Sequence, residues 1–253
     1  MTQAGLTLID AAREISSAWE LTLGPPFTDS CHAYVAPAGE GAVLKLTAPE
    51  DDEADHEADA LALWCGEGTV RLLRRDPRSR AMLLERARPG ADISKLPEEA
   101  ATAIAVEVAA RLWQSAGEPF RWIGDLVPRW LDEAEAAAEL IPTARKLYAS
   151  LEVGRSALIH GDLHHHNILD AGDRYVAIDP KPMLGEPEFD VPPFLWNPAD
   201  EGDAISVERT EGRLAAFAAA GLDEERMRAW SVIRGAYLGV DETDVAVLRE
   251  LLP

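Results

Sequence analysis

Basic residues are scarce in this chain: 24 Lys and Arg stand against 45 Asp and Glu, a formal net charge of -21. Such a field opposes nucleic acid and anionic membrane surfaces and favours cationic partners, although an acidic surface also serves solubility by itself. Cysteine is nearly missing. Cys31 and Cys65 are the only two and stand far apart, so neither a disulfide framework nor a paired-cysteine metal site is indicated. No apolar run is long enough to span a bilayer, and no basic start leads into the apolar stretch of a signal peptide. The expectations are a cytoplasmic protein in a reducing compartment, with no nucleic-acid partner and no membrane association. Nothing in the sequence indicates an oligomeric state, and no internal repeat or low-complexity tract appears.

What is present fits a folded protein. The 253 residues are 47% hydrophobic, enough for one large or two small lobes. Apolar spacing predicts a helix over Thr7–Trp19, strands around Ala33–Val35 and Gly41–Leu46, and an acid-led helix over Asp51–Trp64 ended by Gly66 and Gly68. Further strands are expected at Val70–Leu73 and Ala81–Glu85. Arg86-Ala87-Arg88-Pro89-Gly90 interrupts the pattern like a hinge. Beyond it, helices are expected over Glu98–Trp113, Val127–Ala138, Thr143–Leu151, Val207–Ala220 and Glu224–Tyr237. The layout is α+β, with a strand-rich first third and a helical remainder. The expected division is residues 1–87 and residues 88–253.

Chemistry concentrates in His160-Gly161-Asp162-Leu163-His164-His165-His166-Asn167 and, after the apolar Tyr175–Ile178, in Asp179. Phosphoryl transfer needs a carboxylate beside the acceptor hydroxyl and oxygen ligands for magnesium. Asp162 and Asn167, five apart, stand at the two ends of one tight loop, and Asp179 ends a strand where it can add a ligand. Asp and Asn also cap turns by side-chain hydrogen bonds, the plainer use of both. The crowded histidines invite a zinc reading, yet a zinc site usually draws ligands from a second element, and His32 and His56 lie in the other part of the chain.

His160-Gly161-Asp162 through Asn167-Ile168-Leu169, followed by Ile178-Asp179, resembles the signature of the aminoglycoside phosphotransferases and their protein-kinase relatives. Pro180-Lys181-Pro182, Phe189-Asp190 and Leu195-Trp196-Asn197 look more like the streptomycin 6-kinase and hydroxyurea phosphotransferase branch. The resemblance runs from about Leu21 to Gly239 and implies a bilobal protein-kinase-like fold, with a small strand-rich nucleotide-binding lobe and a larger helical lobe carrying the catalytic loop and acceptor site. It implies Asp162 as the catalytic carboxylate and Asn167 and Asp179 as magnesium ligands, with ATP and Mg2+ as cofactors. His160 is expected to be a buried residue that fixes the loop, and Asp190 a carboxylate that holds the loop backbone.

A kinase of this kind also needs a cation on the nucleotide phosphates, held by a helical carboxylate. Lys45, alone in the apolar Ala42–Leu46, fits the first role, because such a Lys would otherwise be costly to bury. Glu57 shares a helical face with Ala60, Leu61 and Trp64 and is the chosen partner, with Glu53 one turn earlier as the alternative. The hinge resemblance places adenine against backbone groups of Glu85 and Ala87. No G-x-G-x-x-G lies between the first two strands. Phe27-Thr28-Asp29-Ser30-Cys31-His32 stands there instead, with Ser30 as the candidate phosphate contact and a plain turn as an equal reading. For the acceptor, Glu186 and Glu188 with Asp200, Glu201 and Asp203 suit a cation, and Trp196 could form a pocket wall. The expected activity is ATP- and magnesium-dependent phosphorylation of a hydroxyl on a small cationic acceptor such as streptomycin. Hydroxyurea, an amino sugar or another metabolite is the alternative acceptor, and a nucleotide-binding pseudokinase is the alternative of another class.

Overall fold

The computed structural model describes residues 3–27, 33–135, 137–154, 157–198, 206–239, 246–247 and 250. Ser30 and the acids Asp200, Glu201 and Asp203 fall outside the described residues. In chain order the first elements are α1 (Gln3–Ala18), β1 (Ala33–Ala38), β2 (Ala42–Thr47), α2 (Glu57–Trp64), β3 (Leu72–Asp76) and β4 (Ala81–Glu85). Then follow α3 (Glu98–Leu112), β5 (Arg121–Trp122), α4 (Ile123–Glu133), α5 (Ile141–Leu151), β6 (Ala157–Ile159), β7 (Ile168–Asp170), β8 (Tyr175–Ala177), β9 (Met183–Gly185), α6 (Pro192–Trp196), α7 (Val207–Ala219) and α8 (Glu224–Leu238). By their contacts these form two compact units, Met1–Ala91 with Leu169–Lys181 and Asp92–Ile168 with Pro182–Pro253.

In the first unit, an antiparallel sheet runs in the order β1-β2-β4-β3. Its register sets Lys45 opposite Val35 on one side and Met82 on the other. Leu44 and Leu46 are fully buried against Ala12, Ala38 and Ala81, and Leu8, Ala11, Ile15 and Trp19 close over this cluster. Alternation along β2 therefore sends Lys45 to the other face of the sheet.

Among the boundaries in this unit that differ from the sequence expectation, two have a visible reason. The helix expected from Asp51 begins only at Glu57. Arg80 takes the carbonyls of Pro49 and Asp51 and pairs with Asp55, so this acidic stretch forms turns, and His56 enters the helix at φ 67°. Val70 does not extend β3, because its N–H donates to Ala177 O at 3.2 Å instead of pairing with β4.

The second unit is mostly helical, with a small sheet in the order β5-β9-β6. Acids in the first turn of α3 and Arg111 in its last complement the helix dipole, while Ala101, Ala105, Val108, Ala109 and Leu112 line its buried stripe. Its core gathers Phe189, Phe194, Phe217 and Trp230, all essentially without exposed surface, with Phe189 and Phe194 packed edge-on against Trp230 and Phe217.

α4 starts before its expected Val127 and ends at Glu133 rather than Ala138, which leaves Pro128 inside the helix. A proline there removes the N–H that would bond the carbonyl four residues earlier, and that carbonyl belongs to Gly124. Tyr148 from α5 supplies the missing donor, its hydroxyl donating to Gly124 O at 3.0 Å. Tyr148→Phe is expected to lower the unfolding free energy by about 1 kcal/mol in urea titrations. In a Pro128→Ala background, where the helix N–H returns, the same change should cost almost nothing.

Candidate active site

In the first unit, the chemistry collects on one ammonium. Lys45 projects from β2 with its side chain 8% exposed. Its Nζ donates to Glu57 Oε1 at 2.7 Å and to the Asp179 carboxylate, which follows β8. Burial alone would drive the ammonium towards neutrality, but the carboxylates of Glu57 and Asp179 outweigh it and hold the Lys45 pKa above its ordinary value. Burial pushes the Glu57 carboxyl up against the opposing pull of Lys45, and Glu57 Oε2 is buried without a hydrogen-bond partner. Glu53, the alternative partner, pairs with Lys181 at 2.9 Å instead. Asp179 is exposed and stands at φ 57°, a left-handed conformation that costs a non-glycine residue strain.

Of the two hinge positions, Glu85 commits its N–H to Arg71 O at 2.8 Å and its carboxylate to Arg174 at 2.7 Å. Ala87 makes no hydrogen bond among the described residues.

In the second unit, the loop from His160 to Asn167 is held by its surroundings. The buried Asp190 carboxylate accepts from His160 N at 2.8 Å, Gly161 N at 2.6 Å and Trp113 Nε1 at 3.1 Å. Burial raises the Asp190 pKa, while His160 and these donors pull it back. His160 has no exposed surface, and its Nδ1 accepts from Asp162 N at 3.3 Å. Asp162 is partly exposed, with Oδ1 4.0 Å from His164 Nε2. Asn167 closes the loop through Nδ2, which donates to the Asp162 carbonyl at 2.9 Å.

His165 stacks on Phe194 with ring centroids 4.0 Å apart. Burial, reinforced by Arg213, pushes its pKa down to about 3, so the ring is neutral. His166 Nδ1 meets Asp92 Oδ2 at 2.8 Å. The histidines thus hold the loop by separate contacts, and among the described residues no group of three or more His, Cys, Asp or Glu is placed to hold a metal ion.

Two buried arginines were not anticipated from the sequence. Arg213 of α7 clasps Glu98 with two nitrogens, at 2.6 and 2.8 Å, and donates to the carbonyls of Phe194, Leu195 and Asn197. Arg234 of α8 donates to the carbonyls of Gly161 and Phe189. The available signal was a lone Arg amid apolar neighbours, Val232 and Ile233 before Arg234 and Ala236 after it.

The acceptor expectation needs correcting at two acids. Glu186 has no exposed surface: Arg226 grips it with two nitrogens, and Trp230 Nε1 donates to it at 2.6 Å. Glu188 is 1% exposed and accepts from Asp223 N. Both carboxylates are interior supports of α8. Trp196 is half-buried at the end of α6, and its Nε1 is buried without a partner.

Residues 25–245 match the family described as aminoglycoside/hydroxyurea antibiotic resistance kinase. This chain belongs to that family. It is 35% identical to the hydroxyurea phosphotransferase of Kitasatospora aureofaciens over 92% of this chain and 74% of that one. It is 33% identical to the streptomycin 6-kinase of Streptomyces glaucescens, over 90% and 81%. Among solved structures it resembles a choline/ethanolamine kinase family protein of Mesorhizobium loti, with TM-score 0.67 and 16% identity over 96% of this chain and 84% of that one. At that identity the likeness speaks for the fold alone, which is α+β and protein-kinase-like as expected.

The interior role of Glu186 makes a prediction for this kinase. Glu186→Ala leaves Arg226 and Trp230 without their acceptor and should lower the unfolding free energy by about 3–5 kcal/mol, measured by denaturant titration. The acceptor KM of the folded fraction should not change.

Proposed function

We propose that this chain transfers the γ-phosphoryl group of ATP to a hydroxyl of a small cationic acceptor, streptomycin or a related aminoglycoside, and thereby confers antibiotic resistance. The buried Lys45 ammonium between Glu57 and Asp179 carries the reading. A charge kept in a dry environment by two acids is prepared for a polyanion such as a nucleotide phosphate. Lys45 neutralises the phosphates and Glu57 orients it, with the backbone of Glu85 and Ala87 and with Ser30 as further nucleotide contacts. Asp162, partly exposed at the head of its loop, orients the attacking hydroxyl and receives its proton.

Magnesium fits the residues available. The Asp179 carboxylate and the Asn167 amide oxygen are hard oxygen donors, and Asn167 Nδ2 is committed to the Asp162 carbonyl, which leaves its oxygen for a ligand. Magnesium keeps several waters and phosphate oxygens, so it asks for few protein ligands. When bound it offsets charge on the transferring phosphoryl group.

A second reading, hydroxyurea as acceptor, is favoured by two observations. The Kitasatospora relative carries that name, and the burial of Glu186 and Glu188 removes two acids from the case for a polycation. A pseudokinase is disfavoured by the presence of Lys45, Glu57, Asp162, Asn167 and Asp179 together.

The test is magnesium-dependent ATP consumption with streptomycin, other aminoglycosides, hydroxyurea, amino sugars and neutral sugars. Asp162→Ala is expected to lower kcat by about 10²–10⁴-fold with ATP affinity nearly unchanged. Turnover confined to streptomycin-like cations supports the first reading and turnover with hydroxyurea the second. ATP binding without turnover in the whole panel sinks both in favour of a binding module.

A further inference from the structure

Asp162 can be no better placed than the peptide that carries it, and that peptide follows a swivel. Gly161 stands at φ 82°, a conformation open to glycine and to few other residues. Both peptides flanking its Cα are nevertheless held. On the upstream side, Gly161 N–H donates to Asp190 Oδ1 at 2.6 Å. On the downstream side, the Gly161 carbonyl accepts from Arg234 Nη2 at 2.9 Å, and the N–H of the same peptide, from Asp162, donates to His160 Nδ1 at 3.3 Å. Arg234 Nη1 also donates to the carbonyl of Phe189, the residue before Asp190, at 3.2 Å, and the guanidinium lies 4.3 Å from the Phe189 ring centroid. One side chain therefore links the two anchors of the loop.

As a stabilising device this arginine is a poor choice. It is 5% exposed, its Nε is buried without an acceptor, and it has no carboxylate partner among the described residues. Desolvating a guanidinium against carbonyls alone is costly, and an apolar side chain of similar volume commonly does as well or better for stability. Local sacrifices of this kind concentrate where function requires a fixed geometry.

We propose that Arg234 is a positioning residue for phosphoryl transfer: by holding the Gly161 carbonyl opposite Asp190, it fixes the Gly161–Asp162 peptide and so the direction of the Asp162 carboxylate. The proposal rests on the phosphotransferase reading for its kinetic consequence and on geometry alone for its structural one.

The experiment compares Arg234→Met and Arg234→Lys with the unaltered protein by two readouts. The first is kcat and KM per folded molecule, with the acceptor, streptomycin or hydroxyurea, that the unaltered protein phosphorylates. The second is NMR-detected amide hydrogen exchange at Asp162, with Leu158 of β6 as reference. Displacement of a catalytic group by about 1 Å costs on the order of 10²-fold, so Arg234→Met is expected to lose roughly 100-fold in kcat. KM for ATP should stay within about threefold, the pattern of an interaction made for the transition state. Lys, which can still reach one carbonyl, should recover most of the loss. Exchange at Asp162 should quicken in Arg234→Met while Leu158 keeps its protection.

Activity that falls only with the folded fraction, a Lys variant no better than Met, or unchanged exchange at Asp162 would each overturn the proposal. Should Arg234→Met not fold, Arg234→Gln takes its place in both readouts. Should the unaltered protein phosphorylate neither acceptor, the phosphotransferase reading fails, and the exchange measurement alone decides whether Arg234 fixes the peptide.

Discussion

A protonated amine inside a protein is unstable unless anions surround it, and the first unit of this chain is organised around meeting that requirement for Lys45. Three separate pieces of chain have to arrive together: β2 to carry the lysine, the first turn of α2 to bring Glu57, and the segment after β8 to bring Asp179. The sheet register sends Leu44 and Leu46 to the face covered by α1 and leaves Lys45 on the other. Arg80 holds back the acidic stretch before α2, so the helix starts at the residue that must meet the ammonium. Even the strained backbone of Asp179 makes sense in these terms, since a left-handed residue at the end of β8 is what turns that carboxylate to the lysine.

The second unit meets the complementary requirement, fixing a loop that has little regular structure of its own. It does so with buried charges that act in large part on backbone. Asp190 collects two loop N–H groups, Arg234 takes the Gly161 carbonyl, and Arg213 takes three carbonyls around the end of α6 while clasping Glu98. Each such group loses hydration and regains part of it from peptide dipoles, which stabilises less than apolar packing but specifies one loop conformation. Among the described residues the buried acids Glu57, Glu186, Glu188 and Asp190 are nearly balanced by the buried Lys45, Arg213 and Arg234, so the net charge of -21 belongs mainly to the surface.

Much of this was legible in the sequence because periodic burial leaves a periodic trace. α3, α7 and α8 fall within one residue of their expected ends, and β4 agrees with its expected bounds. α2 and α4 do not: Arg80, about 30 positions away, holds the stretch before α2 in turns, and Tyr148 supports the Gly124 carbonyl in the first turn of α4, contacts that no local pattern records. In the candidate site, Asp162, Asn167 and Asp179 were legible from one short motif and its resemblance to a family. Lys45 and Glu57 could be found because a charged residue within an apolar strand or on an apolar helical face is costly unless paired.

The acidic run after β9 shows the opposite case. A string of carboxylates looks the same whether it faces solvent, a cationic ligand or an arginine from a distant helix, and only folding brought Arg226 and Trp230 to Glu186. By itself, then, the sequence determined the α+β layout, the family and the candidate reactive side chains, because these depend on residue type and short spacing. Tertiary structure decided which acids are interior supports, which carboxylate meets Lys45, and how the Gly161–Asp162 peptide is held, because each depends on a partner far along the chain whose approach is set by packing.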